Sequence, residues 1–141
     1  MNIQLLRADI TSMKVDALVA PSDPHLAIPD GRAVVLTGGN LLARFVIQVP
    51  MPNGDDPDAD AKLRAATTAA LERADELAVA SIGLPPVARS KGFDSDRAAR
   101  VMLGATLDYR SRARSLQRVT FCLFGQEEYE VFARVIEELQ G

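Results

Sequence analysis

The sequence predicts an α/β fold in which a mixed six-stranded sheet carries a reduced helical layer on one face, and three observations lead there. Val15-Asp16-Ala17-Leu18-Val19-Ala20 contains a continuous apolar run too short for a helix, the pattern of a strand covered on both faces. Candidate strands come first and then alternate with helices, which is the order of an α/β chain. Helical periodicity is legible in three segments only, 60–78, 95–113 and 127–139. The length of 141 residues, 48% hydrophobic and 25% charged, suits a single domain spanning 1–141 with one core.

Residues 3–10 mix apolar and polar side chains as a first strand, which places Asp9 at a strand end before Thr11 and Ser12 turn the chain. The central strand follows from Val15. Pro21 is expected to stop its regular pairing, and Ser22 and Asp23 then offer a hydroxyl and a carboxylate at its carboxyl end, where open α/β sheets bind ligands. Pro24 and Pro29 bracket a link to Gly31 with too few residues for a packed helix. A parallel crossover needs about a dozen residues or more, so residues 32–37 are expected to run antiparallel to the central strand. Thr37-Gly38-Gly39-Asn40 turns the chain into a fourth strand, 44–49, completing a hairpin.

Residues 50–60 are rich in Pro, Gly, Asn and Asp and form an exposed loop into the first helix, with Asp58 or Asp60 as its cap. Leu63, Thr67, Ala70, Leu71, Ala74, Leu77 and Ala78 mark its buried face. Residues 79–84 form a fifth strand, ended by Pro85 and Pro86. Asp94-Ser95-Asp96 caps a second helix whose Ala98, Val101, Met102, Ala105 and Tyr109 point inward. Arg110, Arg112 and Arg114 follow; they can grip a phosphate, or simply complement the carboxyl end of the helix dipole, which accounts for them without a ligand. Residues 119–124 form the sixth strand. Gly125 turns the chain, and Tyr129, Phe132, Ala133, Ile136 and Leu139 give the closing helix its buried face.

The net charge of -3 gives no electrostatic reason to expect nucleic acid, whose phosphates call for a basic excess. A single cysteine, Cys122, excludes an internal disulfide and a cysteine-rich metal site, and the single histidine, His25, is likewise alone. No cofactor is expected. The first seven residues lack the apolar length of a signal peptide and no segment approaches a membrane span, so a cytoplasmic location is expected.

Read together, these residues resemble a macro domain, the ADP-ribose-binding module. Asp9-Ile10-Thr11 followed by Val15-Asp16-Ala17-Leu18-Val19 is similar to the family's Gly-Asp-Ile-Thr and Val-Asp-Ala-Ile-Val pattern, with Ala8 where glycine is usual. Gly31-Arg32-Ala33, then Thr37-Gly38-Gly39-Asn40-Leu41 leading to Arg44-Phe45-Val46-Ile47, resembles its third and fourth strands. Ser81-Ile82-Gly83-Leu84-Pro85 resembles its fifth, and 119–124 with Tyr129 and Phe132 its last strand and helix. The resemblance spans almost the whole chain and implies a three-layer macro-like fold.

The functional positions depart further from the pattern than the scaffold does. Ala20-Pro21-Ser22-Asp23 stands where the family carries Asn-Ala-Ala-Asn, and the glycine-rich loop that ordinarily follows is shortened into residues 24–31. The second phosphate-cradling loop is Ala88-Arg89-Ser90-Lys91-Gly92-Phe93, in which Gly92 and Phe93 match. Main-chain recognition of a diphosphate needs close approach, which side chains at Cβ obstruct, and Asp23 adds a repelling carboxylate. Arg89 and Lys91 either offset this with charge-assisted contacts or are solvated loop cations, the better supported reading.

The resemblance implies an ADP-ribose-like or adenine nucleotide ligand at Asp9, Ile10, Pro21, Ser22, Asp23, Arg89, Ser90, Gly92, Phe93 and Phe124. Asp9 is the position whose carboxylate receives the adenine amino group, with Ile10 supplying backbone beside it; capping of the turn is the equal alternative. Phe124 can stack on adenine, although filling the core is the leading reading. No nucleophile and base can be paired, so the expectation is a weak binder without hydrolase activity; were it an enzyme, it would hydrolyse ADP-ribosyl linkages. A protein-interaction or self-association module that keeps only the scaffold is the alternative. Apolar side chains of the hairpin beneath a missing layer would leave ~400 Å² wet and forgo on the order of 10 kcal/mol, so a homodimer is expected.

Overall fold

A computed structural model of the chain describes residues 1–8, 13–21, 34–37, 43–85 and 92–140. Six strands, β1 (Asn2–Arg7), β2 (Ala17–Pro21), β3 (Val34–Thr37), β4 (Phe45–Val49), β5 (Ser81–Leu84) and β6 (Arg118–Leu123), form one sheet in the order β1-β6-β5-β2-β4-β3. Five of them are parallel; β3 alone is antiparallel, pairing Val35 with Ile47 of β4. Because β4 runs parallel to β2, β3 opposes the central strand, as the short link requires. Helices α1 (Ala59–Glu76), α2 (Ser95–Tyr109) and α3 (Gln126–Gln140) connect and follow the later strands.

Strand alternation sorts the side chains into two populations. Val19, Ile47, Val49, Ile82, Leu84, Val119, Phe121 and Leu123 share one core with the buried residues of all three helices. On the opposite face Leu18 and Cys122 join Met13, Val15 and Ala43 in a separate small cluster. The helices therefore lie together on one side, and among the described residues no helix covers the other.

Two buried or half-buried carboxylates fasten the frame. Asp16 accepts the amides of Ala80 and Ser81 at 2.9 and 3.3 Å, while its own amide donates to the Ser81 hydroxyl at 2.9 Å. Its carbonyl accepts from Arg44 and Phe45, so one residue sets the starts of β2, β4 and β5. Asp75, at the end of α1, accepts from the Tyr109 hydroxyl and from the amides of Arg114, Ser115 and Leu116. Burial alone would raise its pKa, but these donors favour the anion and hold it below the ordinary aspartate value.

Several expectations need correction. β1 ends at Arg7 instead of residue 10, and β2 begins at Ala17 instead of Val15. Pro21 does not end the pairing but takes part in it, opposite Val49; β5 accompanies β2 only at Ala17 and Leu18, so the missing N–H adjoins a single neighbour. Helix α1 stops at Glu76, because Ala78 adopts a left-handed φ of 58° and is exposed. Asp58 sits at the N-cap without making a side-chain capping bond, whereas Asp94 does cap α2, accepting from the Arg97 amide. Helix α2 gives way after Tyr109 to a single 3-10 turn, Arg110–Arg112. On α3, Leu139 is 42% exposed, and Val135 takes the buried place beside Phe132.

Candidate ligand site at the carboxyl edge of the sheet

All five parallel strands end on the same edge of the sheet, at Arg7, Leu123, Leu84, Pro21 and Val49. This is the edge at which α/β sheets take their ligands. Of the sequence-derived site residues, Pro21 closes β2 at that edge, Gly92 and Phe93 lie before α2, and Phe124 follows β6. Asp9, Ile10, Ser22, Asp23, Arg89 and Ser90 lie outside the described residues. Pro21, Gly92, Phe93 and Phe124 lie within them.

Phe124 corrects the leading core reading. It is 65% exposed, directly past the end of β6, while Phe121 and Leu123 fill the core in its place. β1 is the neighbouring strand, and Arg7 at its end donates to the amide oxygen of Gln126, the first residue of α3, at 2.5 Å. Phe93 behaves oppositely. Its side chain is 2% exposed within the core, so anything it offers a ligand comes from its main chain.

Gly92 has a left-handed φ of 82°, open to glycine at little cost. Across from it, Gly54 of the β4–α1 loop approaches so closely that a Cβ there would lie 2.3 Å from the Gly92 carbonyl oxygen. Arg97 spans the same junction. Its Nη1 donates to the Gly54 carbonyl at 2.9 Å, its Nε to Asp60 at 2.5 Å, and its guanidinium carbon stands 4.7 Å from the centroid of the Phe93 ring. Sequence reasoning missed Arg97 and Gly54. A helix-surface arginine looks like any solvated cation, and the only signal was a glycine inside the Pro/Asp-rich loop.

Asp94, Ser95, Asp96 and Glu127 line an open groove of about 630 Å³ between the starts of α2 and α3. Hydrogen bonds from Arg100 and Arg134 keep the Asp96 carboxyl below its ordinary value, and the two guanidinium groups offset its charge. The 110–114 arginines lie at the opposite end of α2, where Arg112 is 3.6 Å from Glu72 and stacks over Tyr109, in keeping with the ligand-free reading. Among the described residues no group of His, Cys, Asp and Glu is disposed to hold a metal ion, and no helix is long and apolar enough to cross a membrane.

The Macro domain family model matches residues 13–102. A macro domain-containing protein of Caldanaerobacter subterraneus subsp. tengcongensis is 37% identical over 114 residues, covering 79% of this chain and 65% of its own length. An uncharacterised protein of Saccharolobus solfataricus is 25% identical across 99% of this chain and 94% of its own, in an alignment 170 positions long. That alignment exceeds the 141 residues available, so the archaeal protein carries residues that this chain lacks. The crystal structure of a Trypanosoma brucei macrodomain in complex with ADP-ribose superposes with a TM-score of 0.81 at 22% identity, covering 99% of this chain and 69% of the other, a likeness of fold.

Proposed function

This chain belongs to the macro domain family, and from that premise we propose that it binds a ligand of the ADP-ribose class weakly, chiefly through the adenosine end, and does not hydrolyse it. The observation that carries this reading is the exposure of Phe124 at the end of β6, beside the strand end from which the chain continues to Asp9. An aromatic face left in water at a ligand-binding edge is what base stacking requires. Asp9 supplies the acceptor for the exocyclic amine, with Ile10 beside it. Ser22, Asp23, Arg89 and Ser90 form a diphosphate side with less glycine main chain than the family pattern and with a carboxylate added. Weakness follows from that exchange. Cys122, the only thiol, is fully buried and has no role as a nucleophile.

A second reading, self-association as a cytoplasmic homodimer, is favoured by Leu6. Ile3 and Leu5 pack toward the helices, which leaves Leu6 on the opposite face beside Cys122, 44% exposed. Light scattering at micromolar concentration is expected to give twice the chain mass, and Leu6→Glu to lower it. A monodisperse wild-type monomer removes this reading.

A thermal-shift panel of ADP-ribose, AMP, NAD and adenosine tests the first reading, since a ligand bound by the native state alone raises the melting temperature. Protection is expected from each adenine-containing member and is expected to vanish in Asp9→Ala. Calorimetric affinity tighter than about 1 μM for ADP-ribose would contradict the weak-site reading. Release of ADP-ribose from an ADP-ribosyl ester at enzymatic rates would contradict the non-catalytic one.

A further inference from the structure

We propose that Arg97 is the positioning residue of the diphosphate side of the site: it holds the Gly92–Phe93 main chain in place without touching ligand. The inference rests on the ADP-ribose-class reading above. An arginine serving only as a surface ion pair would need Asp60 alone, and such pairs contribute little. Arg97 instead makes three contacts of different kind, to the Asp60 carboxylate, the Gly54 carbonyl and the Phe93 ring face. Its backbone amide is a fourth, donating to the Asp94 cap at 2.7 Å.

The geometry converts these contacts into a constraint on the loop. Gly54 presses on the peptide between Gly92 and Phe93, leaving no space for a side chain, and Arg97 grips the Gly54 carbonyl from α2. The β5–α2 loop therefore ends at a place fixed by the β4–α1 loop, and Gly92 supplies the left-handed turn that this exit needs. Recognition of phosphate by main-chain N–H groups depends on their placement to a fraction of an ångström. Lysine cannot substitute, because a point charge provides neither the planar fork nor the stacking surface.

Titrations of ADP-ribose and adenosine into wild-type, Arg97→Met and Arg97→Lys protein, followed by NMR, test this, since adenosine lacks the diphosphate. Both variants are expected to lose ADP-ribose affinity by about tenfold through misplacement of the main-chain donors, with adenosine affinity unchanged. Parallel loss of both ligands would mean general unfolding, an unchanged ratio would mean no positioning role, and full retention by Arg97→Lys would mean that charge alone acts; each overturns the proposal. Hydrogen exchange without ligand provides a second readout, with faster exchange at Gly54, Gly92 and Phe93 expected in Arg97→Met and unchanged exchange overturning the clamp. Wild-type protein that binds neither ligand sinks the ADP-ribose-class reading and the subsite with it, whereas faster exchange in the variant would still establish that Arg97 holds the loop.

Discussion

The carboxylate of Asp16 accepts the backbone N–H of Ala80 at 2.9 Å, joining the entry to the central strand to the entry of a strand 64 residues later. It accepts from Ser81 as well, and the Ser81 hydroxyl returns a bond to the Asp16 amide. The Val-Asp-Ala pattern thus owes its aspartate to architecture, at the edge of the sheet opposite the ligand side. Asp16→Ala leaves two strand-end amides without their acceptor and is expected to cost about 2–3 kcal/mol, with Ser81→Ala costing about 1 kcal/mol. Urea unfolding at pH 7 measures both. A loss below about 0.5 kcal/mol for Asp16→Ala would mean that water replaces the carboxylate without cost.

Asp75 makes stability depend on acid in a stated direction. Burial opposes its charge, but the Tyr109 hydroxyl and the amides at 114–116 more than compensate, so its folded pKa lies below its unfolded value of about 3.9. The stabilisation is complete above the unfolded pKa and is lost as pH falls through the folded one. Asp75→Asn is expected to flatten the fall in unfolding free energy below about pH 4 and to cost about 2 kcal/mol at pH 7, with Tyr109→Phe costing about 1 kcal/mol. Unfolding curves at pH 7 and at acid pH check this. An unchanged acid slope in Asp75→Asn would assign the sensitivity to other carboxylates.

Ala78 holds a conformation that suits glycine. Its amide donates to the Asp75 carbonyl and that of Val79 to the Ala74 carbonyl, the bonding of a helix end that turns left-handed after its cap, and its φ is 58°. Alanine is strained there, so Ala78→Gly is expected to stabilise the protein by about 0.5–1 kcal/mol despite the greater freedom glycine gives the unfolded chain. A higher melting temperature is the expected result, and a lower one would show that unfolded-state entropy outweighs the relieved strain.

The frame was legible because it is written in local pattern. The apolar run of β2, the short link before β3 and the caps around 94–96 each carry a signal within ten residues, and the mixed sheet follows from them. Boundaries failed where tertiary partners decide. Tyr109 is pinned by Asp75 and the chain leaves α2 there, whereas the arginine-rich run 110–114 read as the helix's own carboxyl end. Val135 and Leu139 lie one turn apart on α3, yet Val135 is fully buried in the core and Leu139 is 42% exposed. The Arg97 junction was invisible for another reason. It joins residues 54, 60, 93 and 97 through one guanidinium, and neither periodicity nor spacing marks such a meeting.

Phe124 separates a ligand role from a structural one within a single substitution. At 65% exposure its ring contributes little to the core, so Phe124→Ala is expected to change unfolding free energy by less than about 0.5 kcal/mol. Stacking of a base on an aromatic side chain is worth about 1–3 kcal/mol by alanine substitution, so the same variant is expected to weaken ADP-ribose and adenosine together by about 5- to 150-fold. Phe124→Tyr keeps the π face and is expected to retain most of the affinity. The pattern differs from that of Arg97, whose variants are expected to affect ADP-ribose alone, and so the two positions divide the site between adenine and diphosphate. Should Phe124→Ala lower stability and leave both affinities unchanged, the ring belongs to packing, and the adenine reading of the β1 and β6 strand ends fails with it.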